Sequence, residues 1–137
     1  MLLMKLQPKE KFSFLQLAHY LARIDNEYGE KEEEIILEYC AEMGIENDND
    51  FELDDFNLED TLKDFKSNKS KKIVILELMI LIHADDKFDL KERTLITEIN
   101  TAFDFSIKDI EFYSQWGKAV AALYSQGRLF IQDSIII

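Results

Sequence analysis

Apolar residues recur every three or four positions along most of this chain, which is the spacing of one buried face of an α-helix. The pattern predicts a first helix from Pro8, a second from Glu30 that ends at Gly44, and a short one over residues 58–65. Two more helices are predicted before Ser106, and a long last helix follows, with a break at Gly127. The expected fold is all-α, a compact bundle of about six or seven helices in a single domain.

The stretch from Ile73 to Ile82 is the one whose pattern is ambiguous, because a short run rich in β-branched residues is also typical of a buried strand. Its correspondence to the first helix favours a helix that is apolar nearly all round and therefore central. Residues 66–72, just before it, are predicted to form a polar turn. The inward-facing residues predicted for the last helix are Ile110, Tyr113, Trp116, Val120, and Leu123 or Tyr124.

Two segments of the chain match each other at an offset of sixty positions, residues 21–32 and residues 81–92. The identical pairs are Leu21 and Leu81, Asp25 and Asp85, Lys31 and Lys91, and Glu32 and Glu92. An internal duplication of one helix-loop-helix unit explains this match, and repeats of this kind determine how the rest of a sequence is interpreted. We therefore expect residues 14–43 and 74–103 to superpose as similar helical hairpins.

The stretch from Glu46 to Asp60, here called the acidic connector, joins the two predicted hairpins. It holds eight acidic side chains and no basic one, so most of the formal net charge of −12 lies there. Its apolar residues predict that it docks partly on the surface of the domain; they are Phe51, Leu53, Phe56 and Leu58. Two interpretations remain open, a solvated charge run and a binding surface for a protein partner. Nucleic acid is not expected as a partner, because contact with phosphates requires a basic face.

Composition adds three expectations about the chain as a whole. A hydrophobic content of 47% argues against disorder. The single cysteine, Cys40, lies at helical spacing among apolar residues and is expected to be a buried thiol without a disulfide. The longest apolar run is about half the length that spans a bilayer, and the first residues do not resemble a secretory signal. The chain is therefore expected to be cytoplasmic and not inserted in a membrane.

The two acidic loops resemble those of the TerB-like family of tellurite-resistance proteins. The closest match to that family's Ala-Asp-Gly loop is Ala84-Asp85-Asp86, with Glu92 downstream, and the similarity covers about residues 14–105. Where the family has Gly after the Asp, this chain has Asn26 and Asp86, which also tolerate left-handed backbone. The resemblance implies a TerB-like helical domain over residues 1–137 and a non-enzymatic role in stress or toxic-oxyanion response. It also implies protein partners, some of them membrane-associated.

The acidic loops raise an electrostatic question, because Asp25 and Asp85 stand where a helix is expected to end. Negative charge there is disfavoured by about 0.3–1 kcal/mol. One explanation is local capping, with Asp89 and Glu92 as a capping box for the following helix. The other is a site for a divalent cation such as Ca²⁺ or Mg²⁺, since carboxylates are hard oxygen ligands. Its candidate ligands are Asp25, Glu32, Asp85, Asp86, Asp89 and Glu92.

Other candidate sites are weaker. The connector has EF-hand spacing at Asp48, Asp50, Glu52, Asp54 and Glu59, but Leu53 stands where the sharp turn needs Gly. Neither His19 nor His83 has a second ligand at zinc spacing, and His83 is expected to stabilise a helix end. The sequence thus predicts a non-enzymatic interaction or ligand-binding module. The alternative is a small acid–base enzyme using paired carboxylates, although the sequence offers no cofactor loop or positioned nucleophile.

Overall fold

The computed structural model describes residues 2–24, 28–85 and 90–132, with only the backbone described for residue 85. These residues form six α-helices, three short 3-10 segments and no strand, so the predicted all-α fold is confirmed. The helices are α1 Pro8–Arg23, α2 Glu30–Met43, α3 Leu58–Leu62, α4 Asn68–Ile82, α5 Leu90–Ala102 and α6 Ile107–Phe130. The 3-10 segments are Leu3–Lys5, Leu53–Asp55 and His83–Asp85.

Local chemistry explains where most of the helices begin and end. Pro8 is the first residue of α1, and a reciprocal capping box joins Gln7 to Glu10. Asn57 and Ser106 cap α3 and α6 through their side-chain oxygens. Gly44 ends α2 in the left-handed conformation with φ of 69°, as predicted. Helix α3 is shorter than expected, because the chain turns after Leu62.

Helix α4 lies at the centre of the bundle and is buried on nearly every side. The prediction of a central helix over residues 73–82 is therefore confirmed and the strand excluded. The predicted polar turn over residues 66–72 is wrong for residues 68–72, which are helical. Ser67 accepts a hydrogen bond from the backbone N–H of Ser70, so the helix already begins at Asn68 and its first turn carries the lysines.

Helix α6 approaches α4 most closely through small residues, whereas the predicted Ile110, Tyr113 and Trp116 are partly buried and pack against the core. Gly117 and Ala121 are buried, and a Cβ placed on Gly117 would lie 2.4 Å from Cβ of Met79. Val120 is buried as predicted, but Leu123 is 65% exposed and Tyr124 is also exposed. The predicted break at Gly127 is wrong, since α6 continues to Phe130. The helical backbone hydrogen bonds of α6 continue past Gly127, because a glycine inside a helix lowers its stability without ending it.

The two halves of the chain agree at the sixty-residue offset in several details. Helices α1 and α4 begin at residues 8 and 68, and α2 and α5 begin at residues 30 and 90. Gly44 and Asp104, sixty apart, both have left-handed backbone, with φ of 69° and 63°. Glu10 and Ser70 are also sixty positions apart, and they contact each other: the Ser70 hydroxyl donates to the Glu10 carboxylate at 3.0 Å. The superposition of the two hairpins stays a prediction.

Two expectations from composition can be compared with the fold. Cys40 is buried in the core, as predicted, and burial raises the pKa of its thiol. In the part of the chain that is described, no helix has both the length and the apolar character needed to cross a membrane.

Candidate functional site: the acidic connector and the interhelical loops

Residues 47–56 of the acidic connector fold back onto helix α1. Gln16 donates from its side-chain amide to the carboxylate of Asp48 at 2.8 Å. The imidazole of His19 lies 2.7 Å from the side-chain oxygen of Asn47, measured from Nε2. These contacts hold the beginning of the connector against one face of α1, so the chain after α2 does not extend into solvent.

Aromatic stacking holds the middle of the connector on the same face. Phe51 stacks on the ring of His19 with 5.3 Å between centroids, and Phe56 stacks on Tyr20 at 4.4 Å. The guanidinium of Arg23 lies 5.6 Å from the centroid of the Phe51 ring, within cation–π range. Aromatic pairs of this geometry add about 0.5–1.5 kcal/mol each beyond the area that they bury. The predicted partial docking of the connector is therefore confirmed.

His19 is neutral in this arrangement because of its two partners. Arg23 can only donate, so its bond to Nδ1 requires a lone pair there, and Nε2 must carry the proton that Asn47 accepts. The side chain is 1% exposed, and burial is the main reason why its pKa is lowered from the ordinary value of 6.5. His19 is thus a structural anchor of the connector and not a metal ligand.

The carboxylates of the connector face the opposite way from its rings. Phe51, Phe56 and Leu58 are partly buried, whereas most of the acidic residues are exposed. The exposed acids are Glu46, Asp50, Glu52, Asp54, Asp55, Glu59 and Asp60. The 3-10 turn Leu53–Asp55 and the Asn57 cap give this stretch a defined backbone. The result is a dense negative surface fixed in place by apolar anchors.

An open groove lies beside the last residues of the connector, between α3 and α5. It encloses about 780 Å³, and its apolar walls come from Leu58, Leu62 and Ala102. Glu59 and Glu98 place carboxylates at its edge, and Arg93 also lines it. The groove therefore places apolar surface directly next to the negative surface of the connector.

Most of the residues predicted as cation ligands lie outside the described part of the chain. They are Asp25, Asp86 and Asp89, together with the side chain of Asp85. Glu32 and Glu92 are described, and both are buried in the third position of their helices, α2 and α5. Glu10 has that same position in α1, where its carboxylate accepts from the backbone N–H of Gln7 at 2.8 Å. This common placement favours the capping interpretation, and the cation site stays a prediction.

The described residues contain no group of three or more Asp, Glu, His or Cys side chains arranged to hold a metal ion. The EF-hand spacing of the connector accordingly does not produce a cage. Asp48 accepts bonds from Gln16 and from the backbone N–H of Asp50, so it serves as a local anchor. His83 lies after α4 in a 3-10 turn, and its Nε2 is 3.0 Å from the Ser114 hydroxyl of α6.

Glu77 is a buried carboxylate that sequence reasoning missed. One of its oxygens accepts from the backbone N–H of Leu2 at 2.7 Å, and its backbone carbonyl accepts from the Tyr39 hydroxyl at 2.6 Å. Burial is the main cause that raises the pKa of Glu77. The cavity beside it is only about 20 Å³, enough for about one water molecule and too small for a substrate. A single Glu in the apolar run was the only available signal.

Three comparisons with known proteins identified no relative: no family model, curated protein or solved structure matches this chain. The resemblance to TerB-like proteins therefore rests on the loop residues alone. The chemistry of the described residues is the remaining guide to function.

Proposed function

We propose that this chain is a non-enzymatic interaction module whose acidic connector binds a basic surface on a protein partner. One observation carries the proposal: the rings of the connector are docked on α1, while its carboxylates are exposed. A run of acids that served only solubility would need no such docking. The arrangement keeps a set of like charges together in a fixed place, where a partner can meet them.

Electrostatics supports this interpretation over a solvated charge run. Exposed charges interact appreciably within a Debye length, about 8 Å at physiological salt, so neighbouring carboxylates on a folded connector repel one another. An extended connector would relieve that repulsion, and ordering each residue costs a further 1–2 kcal/mol or so. The partial burial of Phe51 and Phe56, together with their stacking on His19 and Tyr20, offsets part of these costs. A basic partner would then find its binding surface already ordered, which lowers the entropic cost of association.

The groove between α3 and α5 indicates that the partner also carries an apolar side chain. A segment with Lys or Arg side chains for the connector and an apolar side chain for Leu58, Leu62 and Ala102 would match both surfaces. Electrostatic complementarity of this kind speeds encounter and fixes orientation. The partner class is thus a basic, amphipathic segment of another protein.

The resemblance to TerB-like proteins supports the same class of role. It implies a non-enzymatic role in stress or toxic-oxyanion response and association with other proteins, some of them at the membrane. Buried Glu77 borders a cavity of only about 20 Å³, and the two carboxylates at the 780 Å³ groove, Glu59 and Glu98, are exposed, so the described residues offer no buried acid–base pair in support of the enzyme. The interaction module is therefore the function that we put forward.

The test is calorimetric titration of the chain with a synthetic amphipathic Lys/Leu peptide at low and at physiological salt. In the test variant, four exposed connector acids become amides: Asp50→Asn, Asp54→Asn, Asp55→Asn and Glu59→Gln. Exposed ion pairs contribute about 0.2–1 kcal/mol each, so the loss of four should weaken affinity by about fourfold or more. The loss should be largest at low salt.

A matched control separates the connector from the net charge of the chain. It neutralises four exposed acids elsewhere, with the changes Glu30→Gln, Glu33→Gln, Asp104→Asn and Glu111→Gln. The two variants carry the same charge, so the control should keep its affinity within about twofold if the connector is the site. Equal losses in both variants, or binding that is indifferent to salt, would refute the proposal.

A further inference from the structure

Helix α6 has a second face, directed away from α4, on which apolar side chains remain exposed. Phe112, Leu123 and Phe130 are 60%, 65% and 66% exposed, and the exposed Ala119 lies between them. Trp116 stands at the edge of this face and is half-buried, because it packs against the cluster of Ile80, Val120 and Ala121. The positions on this face follow spacings of four and three, with Gln126 completing the series before Phe130. This is the a/d spacing of a helix that packs lengthwise against another helix. We call this face the α6 seam.

The charge of the α6 seam differs from that of the rest of the molecule. From Phe112 to Gln132 the sequence contains no acidic residue, although the whole chain has a net charge of −12. The basic residues of the stretch from Phe112 to Gln132 are Lys118 and Arg128. Arg128 is paired with Glu34 and Glu38 of α2 at 3.2 and 3.4 Å. Two copies of so acidic a chain repel each other least when they approach through this face.

The charge balance also discriminates among possible occupants of the seam. A basic segment would find no carboxylate along it, and an anionic membrane would repel a chain of net charge −12. A second copy brings an equally uncharged, apolar helix face. The α6 seam runs over residues 112–130, about 27 Å along the helix, and its exposed side chains offer on the order of 600 Å² per copy. A standard interface buries about 800 Å² per partner, so the seam suits a dimer of moderate affinity.

We propose that two copies of this chain associate through the α6 seam in a symmetric helix-to-helix contact. A twofold contact is self-complementary, so one apolar stripe supplies both sides of the interface. The proposal is independent of the connector, which lies on α1, and dimerisation would present two acidic connectors to a partner. Bivalent presentation of this kind raises avidity without new contacts.

The test is sedimentation velocity of the full chain from micromolar to millimolar concentration. The wild-type chain should shift from monomer to dimer, and Leu123→Glu should raise the dissociation constant at least tenfold. Leu123→Lys, which lowers the net negative charge, should also weaken the dimer, because an apolar contact is lost in both variants. The matched control is Leu37→Glu, which places the same charge on an exposed leucine of α2 and should change the constant less than twofold.

Three outcomes would overturn the proposal. The first is a wild-type chain that stays monomeric throughout the range. The second is a dimer that Leu123→Glu leaves intact while circular dichroism shows the variant to be folded. The third is a monomer that binds phosphatidylcholine vesicles through the seam, which would assign the face to a lipid surface instead.

Discussion

Helices α1 and α4 occupy equivalent places sixty residues apart, but different structures cover the same positions on them. On α1, His19 and Tyr20 are covered by the aromatic rings of the acidic connector. On α4, the equivalent Met79 and Ile80 are covered by α6. The connector follows α2 just as α6 follows α5. One location is thus covered by a short irregular segment in the first half and by a long helix in the second.

The difference shows how one arrangement can produce two unlike surfaces. Small residues such as Gly117 let α6 approach the backbone of α4 closely, so this contact depends on packing and leaves an apolar face outside. The connector instead uses stacked rings and side-chain hydrogen bonds, and it leaves carboxylates outside. Both surfaces to which we assign binding lie on the segments in which the halves differ.

The largest expected effect comes from Gly117→Ala, which breaks the covering of α4. The new Cβ would lie 2.4 Å from Cβ of Met79 and 2.7 Å from its carbonyl carbon, so backbone must move. Overpacking of this kind costs about 1–3 kcal/mol, more than the helix propensity of alanine returns. Urea denaturation should therefore show a lower free energy of unfolding.

The control for this prediction is Gly127→Ala in the same helix. Nothing lies within 4 Å of a Cβ placed there, so the variant should gain about 0.5–1 kcal/mol from helix propensity. A lower free energy of unfolding in Gly117→Ala together with a higher one in Gly127→Ala would confirm the close approach of α6 to α4. A Gly117→Ala variant as stable as the wild type would contradict it.

A smaller effect is expected from pH, through His19 on the side of the connector. Its pKa is lowered in the folded chain by burial, so the unfolded chain takes up the proton first. The stability that depends on the neutral ring is fully present above the ordinary pKa of 6.5 and is lost as the pH falls below it. The free energy of unfolding should accordingly decrease over this range.

His19→Met, which installs the residue of the equivalent position on α4, is the comparison for this prediction. The carboxylates, including Glu77 with its raised pKa, are common to both proteins, so the difference between the two curves isolates His19. The variant should lack the part of the pH dependence that begins near pH 6.5. Parallel curves for the two proteins would show that His19 titrates as it does in the unfolded chain.

The smallest effect is expected where the two halves agree, at the first turns of α2 and α5. If Glu32 and Glu92 are capping residues like Glu10, then Glu32→Ala and Glu92→Ala should each cost about 1 kcal/mol. Millimolar Ca²⁺ or Mg²⁺ should then change neither the melting temperature nor these losses. A rise in the melting temperature with metal, abolished by Glu92→Gln, would favour the cation site, because a ligand of the folded state stabilises it.

The helices could be predicted because local signals determine them. Pro8, Gly44 and Ser106 mark ends through their own backbone or side-chain chemistry, and apolar spacing identifies the buried faces. The start of α4 was misplaced because its lysines resemble a turn, although the cap at Ser67 was visible in the sequence. The local pattern indicated a polar turn there, whereas one side-chain oxygen decides where the helix begins.

The remaining errors come from tertiary contacts. No periodicity shows that Gly117 will touch Met79 or that Leu123 will be exposed, since both depend on where α6 crosses α4. The apolar residues of the connector predicted that it would dock, but not that His19 and Tyr20 would receive the rings. Buried Glu77 was missed because its partners are distant in sequence, the backbone of Leu2 above all.

If the connector is held in place on α1 in the free protein, its backbone should be as rigid as the helices around it. Backbone ¹⁵N relaxation by NMR measures this directly, residue by residue from Phe51 to Asp60. A docked connector should give order parameters near those of a rigid helix, about 0.85, and these should decrease in Phe56→Ala, which removes the stack on Tyr20. Order parameters below about 0.6 along the connector of the wild-type chain would show that it is not held on α1.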